Sequence, residues 1–302
     1  MRRLIAAIAL IAPMALATPA CKLASRNRVQ SINRLNEGIT LEKKGSTSQA
    51  ERALKESIEL DPTHAKAHFT LGQVYRKQGK LVDAEKSFRD AIANMTEEPI
   101  SDYWYQLGTV VSDQGDADGV SQTDQEAKYN AAITAYQEAI KLEPTHYKAH
   151  YRMGVLFERL DQPVKADAAY RQAIDIRATY SPSFVSLGNM YIDYGHANVG
   201  QAVLETGTKV NDKDAKMWNG LGRAQLALNK PAEAIDSFKK AKAIDPDMVD
   251  VLFGLGMAYA ELRQRKDAVE NLQAFISKAG NDVPEDRKKA ANDTIARMQD
   301  VI

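Results

Sequence analysis

Apolar residues along this chain return every three or four positions, and short breaks carrying Gly, Pro, Asn or Asp separate such stretches between about residue 31 and residue 280. That spacing predicts amphipathic helices joined by tight turns. The stretches also keep a longer period. A bulky residue followed by Leu or Met and then Gly recurs at a basic spacing of 34 residues: His68-x-x-Leu71-Gly72, Trp104-x-x-Leu107-Gly108, His150-x-x-Met153-Gly154, Phe184-x-x-Leu187-Gly188, Trp218-x-x-Leu221-Gly222 and Leu252-x-x-Leu255-Gly256. A degenerate first copy carries Gly38. A fixed period of this length predicts a solenoid of helix pairs, because one pair cannot bury its apolar face alone and must stack on its neighbours.

With the bulky residue at position 4, the units start at Ser31, Ala65, Ser101, Tyr147, Ser181, Ala215 and Val249. Repeat two then supplies Gly72 at position 8, Tyr75 at 11, Ala84 at 20, Phe88 at 24 and Ala91 at 27. Repeat six supplies Gly222, Ala234, Phe238, Ala241 and, at position 32, Pro246; Pro62 and Pro144 close repeats one and three. These residues resemble the tetratricopeptide repeat family over about 250 of the 302 residues. The resemblance implies an all-α, right-handed superhelical solenoid of about seven helix pairs over residues 31–280. It also implies a protein-binding surface rather than an enzyme.

The stations have a physical reason. Positions 8, 20 and 27 are where helices approach closely, and a larger side chain there overpacks the contact at a cost of roughly 1–3 kcal/mol. Gly45, Gly79, Gly115 and Gly195 fall at position 15, where the first helix stops and a left-handed residue is needed. After the seventh unit, Ala290, Ala291, Ile295, Met298 and Val301 follow Pro284 at helical spacing, so residues 281–302 are expected to form a capping helix.

The amino-terminal segment differs in kind. Arg2 and Arg3 precede an apolar run from Leu4 to Ala17, shaped like a secretory signal over residues 1–20 and too short to span a membrane. Cys21, the only cysteine, follows immediately. Its placement resembles the lipobox of bacterial lipoproteins, which implies a lipid-bearing Cys21, and Lys22 after it in place of Asp resembles outer-membrane-sorted lipoproteins. Cleavage after Ala17, leaving a free thiol, is the alternative. Residues 21–30 are expected to be a polar tether. Without residues 1–20 the chain carries 38 basic and 40 acidic groups, no electrostatic footprint for nucleic acid. The mature protein is expected to be one elongated domain.

Candidate chemistry is sparse. Gly220-Leu221-Gly222 and Gly254-Leu255-Gly256 lack the third glycine and the preceding strand of a dinucleotide fingerprint, and position 8 explains them. His64 with His68, and His146 with His150, have the i, i+4 spacing of helical metal ligands. However, the words Pro62-Thr63-His64 and Pro144-Thr145-His146 are one inter-repeat joint used twice. Repeat three is longer by 12 residues, and an acidic insertion loop is expected at about 116–127 with Asp116, Asp118, Asp124 and Glu126. Its register fails for a calcium loop. Gly200 and Gly207 in repeat five mark close helix packing, or else a flexible joint or docking notch. No cofactor or metal is implied, and no catalytic constellation survives.

Positions 2, 5, 9 and 12 of the first helices line the concave groove in the family. Here they give Ile32, Leu35 and Ile39; Lys66, Phe69, Gln73 and Arg76; Asp102, Tyr105 and Thr109; Lys148, Tyr151, Val155 and Glu158; Val185, Asn189 and Ile192; Lys216, Asn219 and Arg223; then Phe253 and Met257. The mixture suits a peptide or helix, with apolar rows for area and amides and charges for register. Phe69, Gln73, Gln106, Lys148 and Arg152 resemble a half-preserved carboxylate clamp of chaperone-binding members. The expected binding residues are therefore Phe69, Gln73, Tyr105, Gln106, Lys148, Tyr151, Arg152, Asn189, Asn219 and Arg223. The reading that follows is a non-catalytic adaptor of the bacterial cell envelope, facing the periplasm and held to the membrane through lipid alone. It would bind one or more envelope proteins. A pilotin-type pilus assembly factor is one alternative, and a metal- or calcium-dependent enzyme or sensor is another.

Overall fold

The computed structural model describes residues 19–95, 100–281 and 283–299, with 19–25 as backbone alone. The expected leader and the Cys21 side chain lie outside the described residues. Within them the secondary structure is helical, with no strand. Fifteen helices follow in order: α1 (Pro19–Lys43), α2 (Thr47–Leu60), α3 (Ala65–Lys77), α4 (Leu81–Ala93), α5 (Ser101–Gly115), α6 (Gln122–Leu142), α7 (Tyr147–Arg159), α8 (Pro163–Ile176), α9 (Ser181–Asp193), α10 (Ala197–Val210), α11 (Ala215–Ala227), α12 (Pro231–Ile244), α13 (Val249–Glu261), α14 (Arg265–Lys278) and α15 (Glu285–Gln299). From the second repeat on, each first helix begins at the residue the period assigns.

The described chain divides into two compact units at Gln114/Gly115. The cut falls inside repeat three, where the insertion interrupts the 34-residue period. In the second unit each helix pair packs internally and on the next pair. Successive first helices also approach one another directly, as α7 with α9, α9 with α11, α11 with α13 and α13 with α15, and no comparable approach joins the second helices. The first helices therefore line the inner side of that stack.

Packing follows the stations. A Cβ on Gly72 would lie 2.8 Å from the Phe88 ring, one on Gly154 2.6 Å from Tyr170, and one on Gly222 2.6 Å from Phe238. Position 8 is thus empty because position 24 of the same repeat fills it, and Phe88, Tyr170 and Phe238 are fully buried. Gly200 and Gly207 prove to be packing positions as well. A Cβ on Gly200 would sit 2.7 Å from the Gly188 carbonyl oxygen, and one on Gly207 would collide with Met217. Both are buried, which removes the docking notch.

Three expectations need correction. The segment 21–30 is not a tether but part of α1. It holds Leu, Ala, Arg and Gln without an internal Gly or Pro, which favours helix, and Arg28 pairs with Asp61. The insertion is half helix: α6 starts at Gln122 and runs 21 residues, leaving 116–121 as the loop. Ser121 caps it by accepting the Asp124 amide at 3.2 Å, and Asp124 suits the positive end of the helix. Gly115 is not left-handed but ends α5, and the positive φ moves to Gly119.

Position 15 is left-handed in the other six repeats, even where it is not glycine. Gly45, Gly79 and Gly195 stand there, and so do Asp161, Asn229 and Arg263, with φ of 51°, 55° and 54°. A Cβ in that region costs roughly 1–2 kcal/mol. Arg263→Gly is accordingly expected to stabilise the protein by about 1 kcal/mol, with loss of unfolded-state restriction taking back part of the gain. Thermal melts of the two proteins check this, and an unchanged or lower midpoint contradicts it.

Candidate functional site

The histidines act in the joints between repeats. His68 Nε2 lies 2.8 Å from the Pro62 carbonyl and His150 Nε2 lies 3.2 Å from that of Pro144. Since a carbonyl only accepts, both rings donate. Trp218 Nε1 does the same to the Asp212 carbonyl at 2.8 Å. A ring N–H at position 4 therefore ties each of these repeats to position 32 of the one before. His64 is engaged by Ser31 at 2.7 Å, and His146 caps α7 through the Ala149 amide at 3.2 Å. Among the described residues no group of three His, Cys, Asp or Glu side chains is placed to hold a metal ion.

The insertion carboxylates do not converge either. Asp116 pairs with Arg159 and accepts the Tyr129 hydroxyl at 2.6 Å, which pins the start of the loop to α6 and α7. Asp124 accepts from Ser121, and Glu126 from Gln122. Arg159 and Tyr129 oppose the burial of Asp116, and its carboxyl is held below the usual range.

Of the expected binding residues, Phe69, Gln73, Tyr105 and Gln106 belong to the first unit and the others to the second. Phe69 stacks on Tyr103 at 4.4 Å, so its ring serves the contact between α3 and α5. Tyr151 packs on Tyr170 at 5.9 Å and on Tyr180 at 5.3 Å. These aromatics are inter-helix packing more than open groove. Lys148 is exposed, with its ammonium 6.0 Å from the Tyr147 ring, and Arg152 is half-buried.

Asn189, Asn219 and Arg223 are brought together. They line a groove of about 790 Å³ on the inner side of repeats five to seven, with Val185, Ile192, Leu226, Met248, Phe253 and Met257 as its apolar surface and Lys216, Asp250 and Arg287 as its charges. Arg223 donates to Asn189 Oδ1 at 3.0 Å and to Asp193 at 2.8 Å, fixing both first helices. Asn219 Oδ1 is buried and has no hydrogen-bond partner. A buried acceptor left unpaired costs about 1–3 kcal/mol, so the Asn219 amide is a strained point of the groove wall. Asp250, Leu226, Met248 and Arg287 were missed in the sequence, although Phe253 plus one 34-residue period is Arg287.

Glu158, at position 12 of repeat four, is half-buried and accepts the Tyr170 hydroxyl at 2.8 Å. Burial raises its carboxyl above the usual range, and the Asp193 charge adds to the shift while the Tyr170 hydrogen bond opposes it. A raised carboxyl favours folding below its unfolded value of about 4.3 and loses that contribution as pH rises through the folded value. Glu158→Gln keeps an acceptor for Tyr170 without the charge. It is expected to melt higher than the parent at pH 7, with the difference closing near pH 4; an equal gap at both pH values contradicts the assignment.

Comparison with known proteins agrees with this geometry. Profiles described as tetratricopeptide repeat match residues 35–99, 147–180, 215–248 and 250–282, and one described as TPR repeat matches 125–161. The chain belongs to the tetratricopeptide repeat family. Human Superkiller complex protein 3 is 22% identical over 289 residues, covering 82% of this chain and 18% of that protein, so the chain spans under a fifth of that relative. Among solved structures, a tetratricopeptide repeat protein from Parabacteroides merdae superposes with a TM-score of 0.61 at 15% identity, over 90% of this chain and 99% of that one. PilW, described as a type IV pilus biogenesis factor, gives 0.59 at 14%, over 73% and 96%. These likenesses show the solenoid fold. Tetratricopeptide repeat proteins generally bind other proteins or peptides, and the chain is an interaction scaffold of that kind.

Proposed function

We propose that this tetratricopeptide repeat protein is a non-catalytic adaptor of a bacterial cell envelope, lipid-anchored through Cys21, that holds a partner's peptide segment in the groove of repeats five to seven. The observation that carries the reading is the groove itself. Its apolar surface supplies area, Asn189 and Arg223 are fixed in place, and the half-buried Asn219 side chain adds an amide of the sort that pairs with a peptide backbone. The charged start, the apolar run and the sole cysteine support the anchor. No helix among the described residues is long and apolar enough to cross a membrane, and two or more acyl chains on Cys21 would hold the solenoid stably.

Affinity capture from detergent-solubilised envelopes, run in parallel with the parent and with Asn219→Leu, tests the groove. A partner recovered by the parent and lost by the variant supports it, and equal recovery removes this groove as the binding face. Recovery of pilus or secretin components would select the pilotin-type reading. Intact mass decides the anchor: a mature chain beginning at Thr18 with a free thiol refutes lipidation.

A further inference from the structure

We infer that α15 is an eighth groove helix and not only a cover, and that its Arg287 selects a carboxylate on the bound peptide. The inference rests on the groove of repeats five to seven being the binding face. Register is the first argument. Adding the 34-residue period to Val185 gives Asn219, then Phe253, then Arg287, and all four line the one groove. α15 packs on α13 and α14 as a further first helix would, and it buries Ala291 against Leu252, Leu272 and Phe275. A terminal cover needs one apolar face inward and one solvated face outward. It has no need of an arginine on the binding row.

Geometry is the second argument. The Arg287 guanidinium lies 4.7 Å from the centroid of the Phe253 ring and donates to Asp250 at 2.6 Å. Ring stacking orients the planar fork, and a fork so held presents further N–H groups to a carboxylate. Lysine in that place would offer a charge without the orientation.

Charge is the third. Lys216, Arg223 and Arg287 line the groove against one lining carboxylate, Asp250, and Asp193 beside Arg223 still leaves the cations in excess. The half-buried Asn219 amide suits a peptide group, the apolar surface takes a side chain, and the surplus positive charge takes an anion. The ligand that meets all three demands is an extended peptide carrying Asp or Glu beside an apolar residue, with its carboxylate sharing Arg287 with Asp250.

Random dodecapeptides displayed on phage, panned against the full chain, are the probe. The parent is expected to enrich sequences with Asp or Glu next to an apolar residue, and a charge-assisted hydrogen bond sets the preference over Asn or Gln at roughly tenfold. Arg287→Glu should abolish that preference or turn it toward Lys and Arg. Because Arg287 also packs on Phe253, Asp250→Asn serves as a second variant that keeps the stack and removes the competitor; it should strengthen the acidic preference. Asn219→Leu should enrich nothing. If Arg287→Glu and Asp250→Asn leave the parent's preference unchanged while Asn219→Leu abolishes enrichment, the inference about α15 falls and the groove stands. If Asn219→Leu enriches the same sequences as the parent, or the parent enriches none, the groove reading falls with it.

Discussion

Phe238→Ala is expected to lower the unfolding free energy by about 3–5 kcal/mol, the range for deleting a buried aromatic ring from a core. Phe238 is fully buried in a cluster with Ala234, Ile235, Ala241, Val251, Leu255 and Ala258. Its ring occupies the space left by Gly222 of its own repeat and by Gly254 of the next. The substitution therefore opens a cavity in the contact between repeats six and seven, where glycine backbones have no side chain to collapse into it. In a stack held by nearest-neighbour contacts, α13 to α15 should also exchange their amide hydrogens sooner than the rest. Urea unfolding followed by helicity, with hydrogen exchange by segment, measures both effects. Ile244→Ala is the control: that side chain is 40% exposed and should cost under about 1 kcal/mol, as surface positions do. A loss at Phe238 no greater than at Ile244 would mean that the ring does not carry the inter-repeat contact.

Removal of residues 284–302 has the second-largest expected effect. α15 covers Leu252, Leu272 and Phe275, all buried, with Ala291 fully buried at the centre and Ile295 and Val283 beside it. Exposing a large apolar side chain forfeits roughly 1.5–3 kcal/mol, so uncovering several of them amounts to much of the stability of one repeat. The truncated chain should begin to unfold at repeat seven and should self-associate through the uncovered face. Size-exclusion chromatography with light scattering and a denaturation curve check this. A monomer as stable as the parent would show that α15 covers nothing of consequence. The truncation also removes Arg287 from the binding row, so peptide selection is better studied with the point variants.

The repeat register was legible because it depends on volume at fixed intervals. Glycine at position 8 and a ring or leucine at position 24 meet within one helix pair, and a 34-residue period brings that small-on-large contact back wherever the turn lengths hold. Local capping chemistry was less legible. The insertion contains enough Asp and Gly to read as a loop, yet Ser121 followed by Gln122, Asp124 and Glu126 is a helix start, and the cap turns half of it into α6. Position 15 shows a related limit. Its glycines predicted left-handed backbone, and the backbone keeps that conformation at Asp161 and Asn229, whose short polar side chains tolerate it, and at Arg263, whose side chain gives no hint.

The binding rows divide along the same line. The resemblance to the tetratricopeptide repeat family, legible in the sequence alone, assigned positions 2, 5, 9 and 12 to the inner face. The 3.6-residue helical repeat keeps them on one side of each first helix. The sequence also named Asn189, Asn219 and Arg223. Only the tertiary structure decided which inward residues remain open to a ligand. Phe69 and Tyr151 stand at the same repeat position as Phe253, but Phe69 stacks on Tyr103 and Tyr151 on tyrosines of its own repeat and the next joint. A side chain at the edge of a helix can turn into the neighbouring helix or stay in the groove. The choice depends on the volume across the contact, which here belongs to residues 19, 29 and 34 positions away. For the same reason a cap predicted from its apolar spacing became a wall of the groove: its packing on α13 places Arg287 over Phe253, and no property of residues 284–302 taken by themselves specifies that neighbour.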